Sequence, residues 1–228
     1  MNNFVINYGL ILIGLVITLA SQMFINYAYS KYSKNKTKRG MTGYDVARNI
    51  LDKNGLNHID IVKVSGNLTD HYDPKRKVIR LSSVVYNNDS IASVSVAAHE
   101  CGHAIQDKEN YKFLKIRSKI VPSVNFVSYL GYVSIVIGIF CGISKIIWLG
   151  IFLELFIVLF QIITLPVEIN ASKRALKELD YSHVLNSEEL SKSKIMLVAA
   201  ALTYVASVLT SILQILRLVL LFGGSDDR

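Results

Sequence analysis

In the segment Val96-Ala97-Ala98-His99-Glu100-Cys101-Gly102-His103-Ala104-Ile105, two histidines four residues apart bracket a glutamate. On a helix, residues i and i+4 lie one above the other, so His99 and His103 can both face a single zinc ion, with Glu100 beside them. This arrangement suits metal-assisted hydrolysis of a peptide bond.

The residues around this motif predict that it lies on a buried helix. They are uncharged, as expected behind a metal site, where an unpaired buried charge would be unfavourable. Asp89 and Ser90 are candidate N-caps, and the predicted helix then runs to Gln106, about five turns at 3.6 residues per turn. The alternative interpretation is a buried helix with two core histidines that bind no metal.

Composition indicates a membrane protein, since 51% of the residues are hydrophobic and the mean hydropathy is +0.37. A helix needs about 20 apolar residues to cross a bilayer. Four runs reach this length, so we predict four transmembrane helices: Phe4–Tyr29, Ile120–Ser144, Ile146–Val167 and Ile195–Leu216. Glu154 is the one charged residue within these runs, and Arg217 directly follows the last of them.

The basic residues predict the orientation in the membrane. Of the 25 Lys and Arg residues, 17 lie in residues 30–119 and 5 in residues 168–194. Because cytoplasmic segments of membrane proteins carry the excess of Lys and Arg, both segments are predicted to be cytosolic, with the N- and C-termini outside. The net charge of +8 therefore needs no nucleic-acid partner, and no basic motif with interleaved aromatic residues predicts one.

The predicted fold is an α+β membrane protein with four transmembrane helices and a small cytosolic zincin-like domain, made of the motif helix and a short antiparallel sheet. The predicted division is a first transmembrane helix (1–29), the zincin-like domain (30–119), two transmembrane helices (120–167), a cytosolic helix (168–194), and a last transmembrane helix with a short outer tail (195–228).

Within the zincin-like domain, the sequence predicts a helix from Gly43 to Lys53 capped by Thr42, and then a strand from Ile59 towards Gly66. The segment Leu68–Ser82 predicts strand, turn and strand, with Asp73-Pro74 in the turn. A strand directly before the motif helix could pair with an extended peptide substrate. A strand with no ligand role is the equal alternative.

A zinc site with two histidines needs at least one more protein ligand and an open position for water. Glu168 is the favoured third ligand because it follows Pro166 at the predicted cytoplasmic end of the third apolar run. Glu178, Glu188 and Glu189 are predicted on the same side, but they lie among lysines and are typical of a solvated surface.

Three motifs together resemble the bacterial neutral zinc metallopeptidase family typified by the YugP membrane proteins. They are Leu68-Thr69-Asp70-His71-Tyr72-Asp73-Pro74, His99-Glu100-Cys101-Gly102-His103 and Leu165-Pro166-Val167-Glu168. The resemblance covers most of the chain. It implies a membrane-bound zinc peptidase similar to the membrane gluzincins of the HtpX and CAAX-protease type, which keep the zinc site on the cytosolic side.

In such relatives an aspartate often follows the ligand glutamate by four residues and holds a metal histidine. Here that position is Ser172, so Ser172 or Asn170 is expected to take this role. The oxyanion donor is open among His71, Tyr72, Arg174 and His183, and the resemblance favours His71 and Tyr72 as further catalytic residues.

The predicted function is a membrane-bound metalloendopeptidase with one Zn²⁺ per chain, held by His99, His103 and Glu168. Zinc lowers the pKa of its bound water and polarises the scissile carbonyl, while Glu100 acts as general base and then as general acid. The expected partners are peptide or protein substrates, including membrane proteins, and the lipid bilayer of the cell membrane.

Two alternatives from other classes stay open at this point. One is a transporter that uses Glu154, and the other is a non-catalytic scaffold with a structural zinc site. An ion pair between Glu154 and Arg217 would account for both charges without a transport role. The two cysteines, Cys101 and Cys141, are not expected to form a disulfide, and Cys101 is expected to be a small buried residue.

Overall fold

Helices form most of the chain in the computed structural model, which describes residues 3–66 and 69–223. Leu68 and the last part of the predicted outer tail lie outside these residues. The elements, in chain order, are α1 (Asn3–Tyr32), α2 (Gly43–Lys53), β1 (Asp60–Val64), β2 (His71–Asp73), β3 (Val78–Ser82), α3 (Ser83–Asn87), α4 (Ile91–Lys108), α5 (Lys112–Cys141), α6 (Ser144–Tyr181) and α7 (Ser187–Phe222).

Four of these helices, α1, α5, α6 and α7, are long and apolar enough to cross a membrane. The first, third and fourth predicted apolar runs lie within α1, α6 and α7, whereas the second, Ile120–Ser144, extends past the end of α5 at Cys141. Helix α6 continues without a break from Ser144 to Tyr181, so the third apolar run and the segment with Glu168 form one helix. Pro166 lies inside α6 and removes one main-chain hydrogen bond from it.

The chain divides into two compact units. The sheet unit comprises Met23–Lys115 and Pro166–Leu202, and the apolar-helix unit comprises Met1–Gln22, Ile116–Leu165 and Thr203–Arg228. In the sheet unit, α2, α3, α4 and the end of α6 pack around a hydrophobic core. Its largest fully buried side chains include Ile50, Leu51, Ile79, Leu81 and Leu179, and burying each contributes about 1.5–3 kcal/mol.

The helix starts in the sheet unit follow the sequence prediction. The Ser90 hydroxyl accepts a hydrogen bond from the Ser93 main-chain N–H and caps α4. Thr42 and Asp45 form a capping box at the start of α2. Each cap gives a partner to main-chain N–H groups that a helix start leaves unpaired, and α4 therefore begins where the motif helix was predicted to begin.

The sheet corrects one prediction, because it is mixed rather than antiparallel. Its strand order is β1-β3-β2, with β1 parallel and β2 antiparallel to β3. The chain reverses direction between β1 and β2 and again in the turn before β3, so β1 and β3 run the same way. They become neighbours because β3 lies in the middle.

The central position of β3 decides between the two alternatives for this strand, which were pairing with substrate and no ligand role. Both edges of β3 are hydrogen-bonded, from Asp60↔Val78 to Val64↔Ser82 on one side and from His71↔Arg80 to Asp73↔Val78 on the other. An extended peptide therefore cannot pair with β3 over residues 78–80, and the strands with an outer edge are β1 and β2.

Glycines allow α5 and α6 to pack closely in the apolar-helix unit. A β-carbon on Gly150 would lie 2.8 Å from the Gly131 carbonyl oxygen, and one on Gly138 would lie 2.7 Å from the Ile147 nitrogen. Gly131, Gly138 and Gly150 thus all lie at the contact between α5 and α6. Such close approach of backbones is typical of membrane helices.

The expected ion pair between Glu154 and Arg217 is not formed within residues 3–66 and 69–223. The Arg217 guanidinium instead donates to the Gln214 side-chain oxygen at 3.0 Å. Glu154 lies at the α5–α6 contact, where its Oε1 would be 3.3 Å from a β-carbon on Gly131. The structure thus places Glu154 at the contact between two apolar helices and does not pair it with Arg217 among the described residues.

We predict that Gly150→Ala lowers the thermal unfolding temperature of the detergent-solubilised protein. The added methyl group collides with main-chain atoms, which typically destabilises a protein by about 1–3 kcal/mol. Gly9→Ala is the control, because no atom lies within 4 Å of its β-carbon position and alanine favours helix. Equal unfolding temperatures for the two variants would contradict this packing.

Candidate metal centre

Three metal-ligating side chains converge between α4 and α6 in the sheet unit. His99 and His103 lie on one face of α4, with ring centroids 4.8 Å apart and ring planes at 87°. Glu168 Oε2 on α6 lies 3.2 Å from His99 Nε2 and 3.6 Å from His103 Nε2. One ligand atom from each residue lies within 4.8 Å of the other two.

The separations and the donor types fit a zinc ion. Two imidazole nitrogens and one carboxylate oxygen are common zinc ligands, and tetrahedral bonds of about 2.0–2.1 Å place ligand atoms about 3.3 Å apart. The two separations between Glu168 and the histidines, 3.2 and 3.6 Å, bracket that value, and all three ligand atoms lie within 4.8 Å of one another. The structure therefore brings together the three residues predicted as metal ligands in an arrangement that can hold a metal ion.

Gly102 allows α4 and α6 to approach closely at this point. A β-carbon on Gly102 would lie only 2.5 Å from the Ala171 carbonyl oxygen. Real β-carbons do not come so close to a main-chain atom, so any larger residue would push the two helices apart. The glycine in the motif is thus explained by packing between the two helices that carry the ligands.

Both histidines make a second contact through Nδ1. His99 Nδ1 lies 3.2 Å from the Ser172 hydroxyl, and His103 Nδ1 lies 3.0 Å from Gln106 Oε1. Of the two expected partners, Ser172 contacts a ligand histidine, whereas Asn170 contacts Gln106. Such contacts orient metal-binding imidazoles.

Gln106 was missed as a site residue by sequence reasoning, although one signal was present. It lies three positions after His103, within one helical turn, so both side chains are on the same face of the helix. This spacing places Gln106 beside His103.

Glu100 is buried beside the metal-ligating group, with 7% of the residue exposed. Its Oε2 accepts a hydrogen bond of 2.9 Å from the Tyr72 main-chain N–H on β2. Burial raises the pKa of the Glu100 carboxyl to about 7, and the negative charges of Glu168 and Asp70 act in the same direction. A carboxyl in such surroundings can both take up and release a proton near neutral pH.

The side chains of His71 and Tyr72 make their hydrogen bonds away from Glu100. The His71 imidazole contacts the Thr69 carbonyl at 2.8 Å and the Arg80 guanidinium at 3.4 Å. The Tyr72 hydroxyl donates to Asp107 at 2.7 Å, and burial together with this bond raises the pKa of the phenol. The catalytic roles of both side chains stay predictions.

The other candidate oxyanion donors have different positions. Arg174 forms an ion pair with Glu109 at 2.6 Å and donates to the Asn170 side-chain oxygen. His183 lies in the turn after α6 with a positive φ of 51°. The structure does not place either residue in the metal-ligating group.

Cys101 lies inside the motif but outside the metal-ligating group. The residue is fully buried, and its thiol lies 3.6 Å from the Ala47 carbonyl oxygen in the hydrophobic core. Cys101 and Cys141 are both free, as expected from the sequence. Burial raises the pKa of the Cys101 thiol well above its usual value.

Comparison with known proteins identifies the class to which this fold and site belong. The family described as "Putative neutral zinc metallopeptidase" matches residues 7–223, so the chain belongs to this family. A curated relative from Bacillus subtilis (strain 168), described as "Putative membrane protease YugP", is 46% identical over 211 residues, which cover 91% of this chain and 93% of the relative. No solved structure matches the chain. The membrane relative and the four apolar helices together indicate a multi-pass membrane protein.

We predict that Gly102→Ala weakens zinc binding and lowers the unfolding temperature of the metal-free protein. The methyl group forces α4 away from Ala171 on α6, which separates the ligands on the two helices and destabilises the packing by about 1–3 kcal/mol. Zinc content by mass spectrometry and chelator competition measure the first effect, and thermal unfolding measures the second. Gly9→Ala is expected to keep wild-type zinc affinity and not to lower the unfolding temperature, because alanine favours helix. Wild-type zinc affinity in Gly102→Ala would refute the packing role.

Proposed function

We propose that the protein is a membrane-bound zinc metalloendopeptidase that hydrolyses peptide bonds, with a gluzincin-type site. One observation carries this proposal: the ligand atoms of His99, His103 and Glu168 converge, and the buried carboxyl of Glu100 lies next to His99 on the same helix. Family membership supports the same reaction class.

In this proposal, His99, His103 and Glu168 hold one zinc ion per chain. When bound, zinc supplies Lewis-acid chemistry, because it polarises a carbonyl group and makes water more acidic. Glu100 supplies the proton transfer. Its Oε2 is held by the Tyr72 main-chain N–H, so we assign Oε1 to accept the proton of the attacking water and to pass it to the leaving amine nitrogen.

We assign oxyanion stabilisation to the neighbourhood of β2, with His71 and Tyr72 as candidate donors. The support is that β2 borders Glu100 directly, through the hydrogen bond from Tyr72 N–H, and that its outer edge is not paired with another strand. The Tyr72 hydroxyl donates its proton to Asp107 at 2.7 Å in this structure, so a role as oxyanion donor requires it to leave Asp107 when substrate binds.

We further propose that the site is on the cytosolic side of the cell membrane. Residues 30–119 and 168–194 would then form a cytosolic zincin-like domain, with both chain termini outside. The support is the concentration of Lys and Arg in these two segments. The proposed substrates are peptides and proteins, including membrane proteins, that reach this side.

We predict that Glu100→Gln keeps its zinc but loses peptide hydrolysis. The substitution preserves size and leaves all three ligands in place, but an amide cannot accept the proton, and such a loss typically lowers the rate by a factor of about 10²–10⁴. The measurements are zinc content of the purified protein and cleavage of a peptide library in detergent. Glu188→Gln is the matched control, because the Glu188 side chain is exposed and forms an ion pair with Lys192 near the start of α7.

The two measurements together separate the proposal from the other classes. A non-catalytic scaffold or a transporter gives zinc binding without cleavage in the wild type as well. Cleavage that survives in Glu100→Gln at the wild-type rate would exclude Glu100 as the general base.

We predict that a cysteine at position 53 is cytosolic. Lys53 is exposed at the end of α2, and Cys101 is buried, so Lys53→Cys in a Cys141→Ser background offers one reactive thiol. A membrane-impermeant maleimide is expected to label it only after the cells are permeabilised. Labelling in intact cells would place the site on the outer side.

A further inference from the structure

Gln106 makes three hydrogen bonds in the interior of the candidate metal centre, and none of its surface is exposed. Its Oε1 lies 3.0 Å from His103 Nδ1. Its Nε2 donates to the Val167 carbonyl oxygen at 2.8 Å and to the Asn170 side-chain oxygen at 2.9 Å. The side chain thus joins His103 on α4 to Val167 and Asn170 on α6. These lie one residue before and two residues after Glu168.

The Val167 carbonyl fixes which way the Gln106 amide points. A main-chain carbonyl can only accept a hydrogen bond, so the amide atom that faces it must be the NH₂ group. The atom that faces His103 is therefore the oxygen, which can only accept. It follows that His103 Nδ1 carries a proton, and that in the neutral ring Nε2 carries the lone pair.

This tautomer makes His103 ready to bind a metal ion. The Nε2 lone pair faces Glu168 Oε2 at 3.6 Å, and two acceptors do not attract each other without a positive charge between them. We infer that Gln106 is a positioning residue, which fixes His103 in the Nδ1–H tautomer and directs its Nε2 towards the metal. This inference rests on the proposed zinc site.

The amide of Gln106 is itself held in place by a chain of polar groups. Asn170 Oδ1 accepts from Gln106 and also from Arg174 Nε, at 2.7 Å. The Arg174 guanidinium is anchored in turn by Glu109 at 2.6 Å. These bonds prevent rotation of both amides, so the orientation of the His103 ring is set by contacts outside the metal-ligating group.

His99 lacks this constraint. Its Nδ1 partner is the Ser172 hydroxyl at 3.2 Å, and a hydroxyl can both donate and accept. The Ser172 contact therefore does not choose between the two tautomers of His99. Gln106 is the partner that makes one ligand of the pair fully oriented before any metal binds.

The test measures zinc affinity of the full-length protein in detergent by chelator competition, and thermal unfolding of the metal-free form. Gln106→Leu removes the acceptor for His103 and is expected to weaken zinc binding about 10–100-fold. Gln106→Glu keeps an acceptor oxygen but loses the donor to Val167 and Asn170. It is therefore expected to bind zinc more tightly than Gln106→Leu while its metal-free form is no more stable.

Ser193→Ala is the control for unspecific loss of a buried hydrogen bond. The Ser95 hydroxyl donates to the Ser193 hydroxyl at 2.7 Å, both residues are fully buried, and the side-chain hydrogen bonds of this pair go to each other and to the Ile91 carbonyl. Its zinc affinity is expected to equal that of the wild type. Asn170→Ala is the second variant, to be used if Gln106→Leu does not fold. It removes the Asn170 oxygen that accepts from the Gln106 amide and is expected to weaken zinc binding severalfold.

Failure of the inference and failure of the proposed site give different results. Glu168→Gln must lose zinc if the proposed site is correct, whatever Gln106 does, and retention of wild-type affinity there would overturn the site itself. If Glu168→Gln loses zinc but Gln106→Leu binds it within twofold of the wild type, only the positioning role is overturned. If Gln106→Leu and Gln106→Glu lose the same amount of zinc affinity, and the thermal stability of their metal-free forms falls to the same extent, then Gln106 only links the two helices and does not position His103.

Discussion

The close contact between Gly102 on α4 and the Ala171 carbonyl on α6 controls the distance between the two halves of the metal centre. His103 is the next residue after Gly102, and Ala171 lies between Glu168 and Ser172 on α6. A contact without a side chain therefore sets the separation of the ligands on the two helices. Because helices keep their shape, the spacing of the donor atoms follows from the spacing of the two backbones.

The two buried carboxyl groups of this centre have pKa values shifted in opposite directions, that of Glu100 upward and that of Glu168 downward. Burial alone would raise the pKa of Glu168, but its contacts with His103 and His99 outweigh burial and lower it. Glu100 has one main-chain N–H as its hydrogen-bond partner and two nearby negative charges, so burial dominates and raises its pKa. Two buried glutamates in one site thus differ in their readiness to hold a proton, because their neighbours differ.

The sequence predicted the elements that depend on local pattern. The span lengths follow from apolar runs, the start of α4 follows from Ser90, and the pair His99 and His103 follows from helical spacing. Glu168 was also predicted as the metal ligand that joins the two histidines, although no local sequence spacing requires it. The sheet was predicted less well, because strand order depends on packing against α4 and not on the alternation of residues within β3.

The contacts of single side chains were harder to anticipate. Ser172 was expected as one of two candidate partners of a ligand histidine. Gln106 was not considered, because its role depends on the direction in which the Val167 main-chain carbonyl on α6 points. Equally, Tyr72 was considered for its phenol, whereas its main-chain N–H is the group that reaches Glu100. Side-chain identity says little about contacts that the backbone makes.

The position of Cys101 has a consequence for the chemical durability of the centre. A thiolate is among the strongest zinc ligands, and this cysteine lies two residues from each histidine. The helix turns it to the opposite side, where the apolar core keeps the thiol protonated and out of reach of solvent. The thiol therefore cannot compete with the Glu168 carboxylate for the metal ion. Oxidants and alkylating reagents in the solvent do not reach its sulfur, because the residue is fully buried.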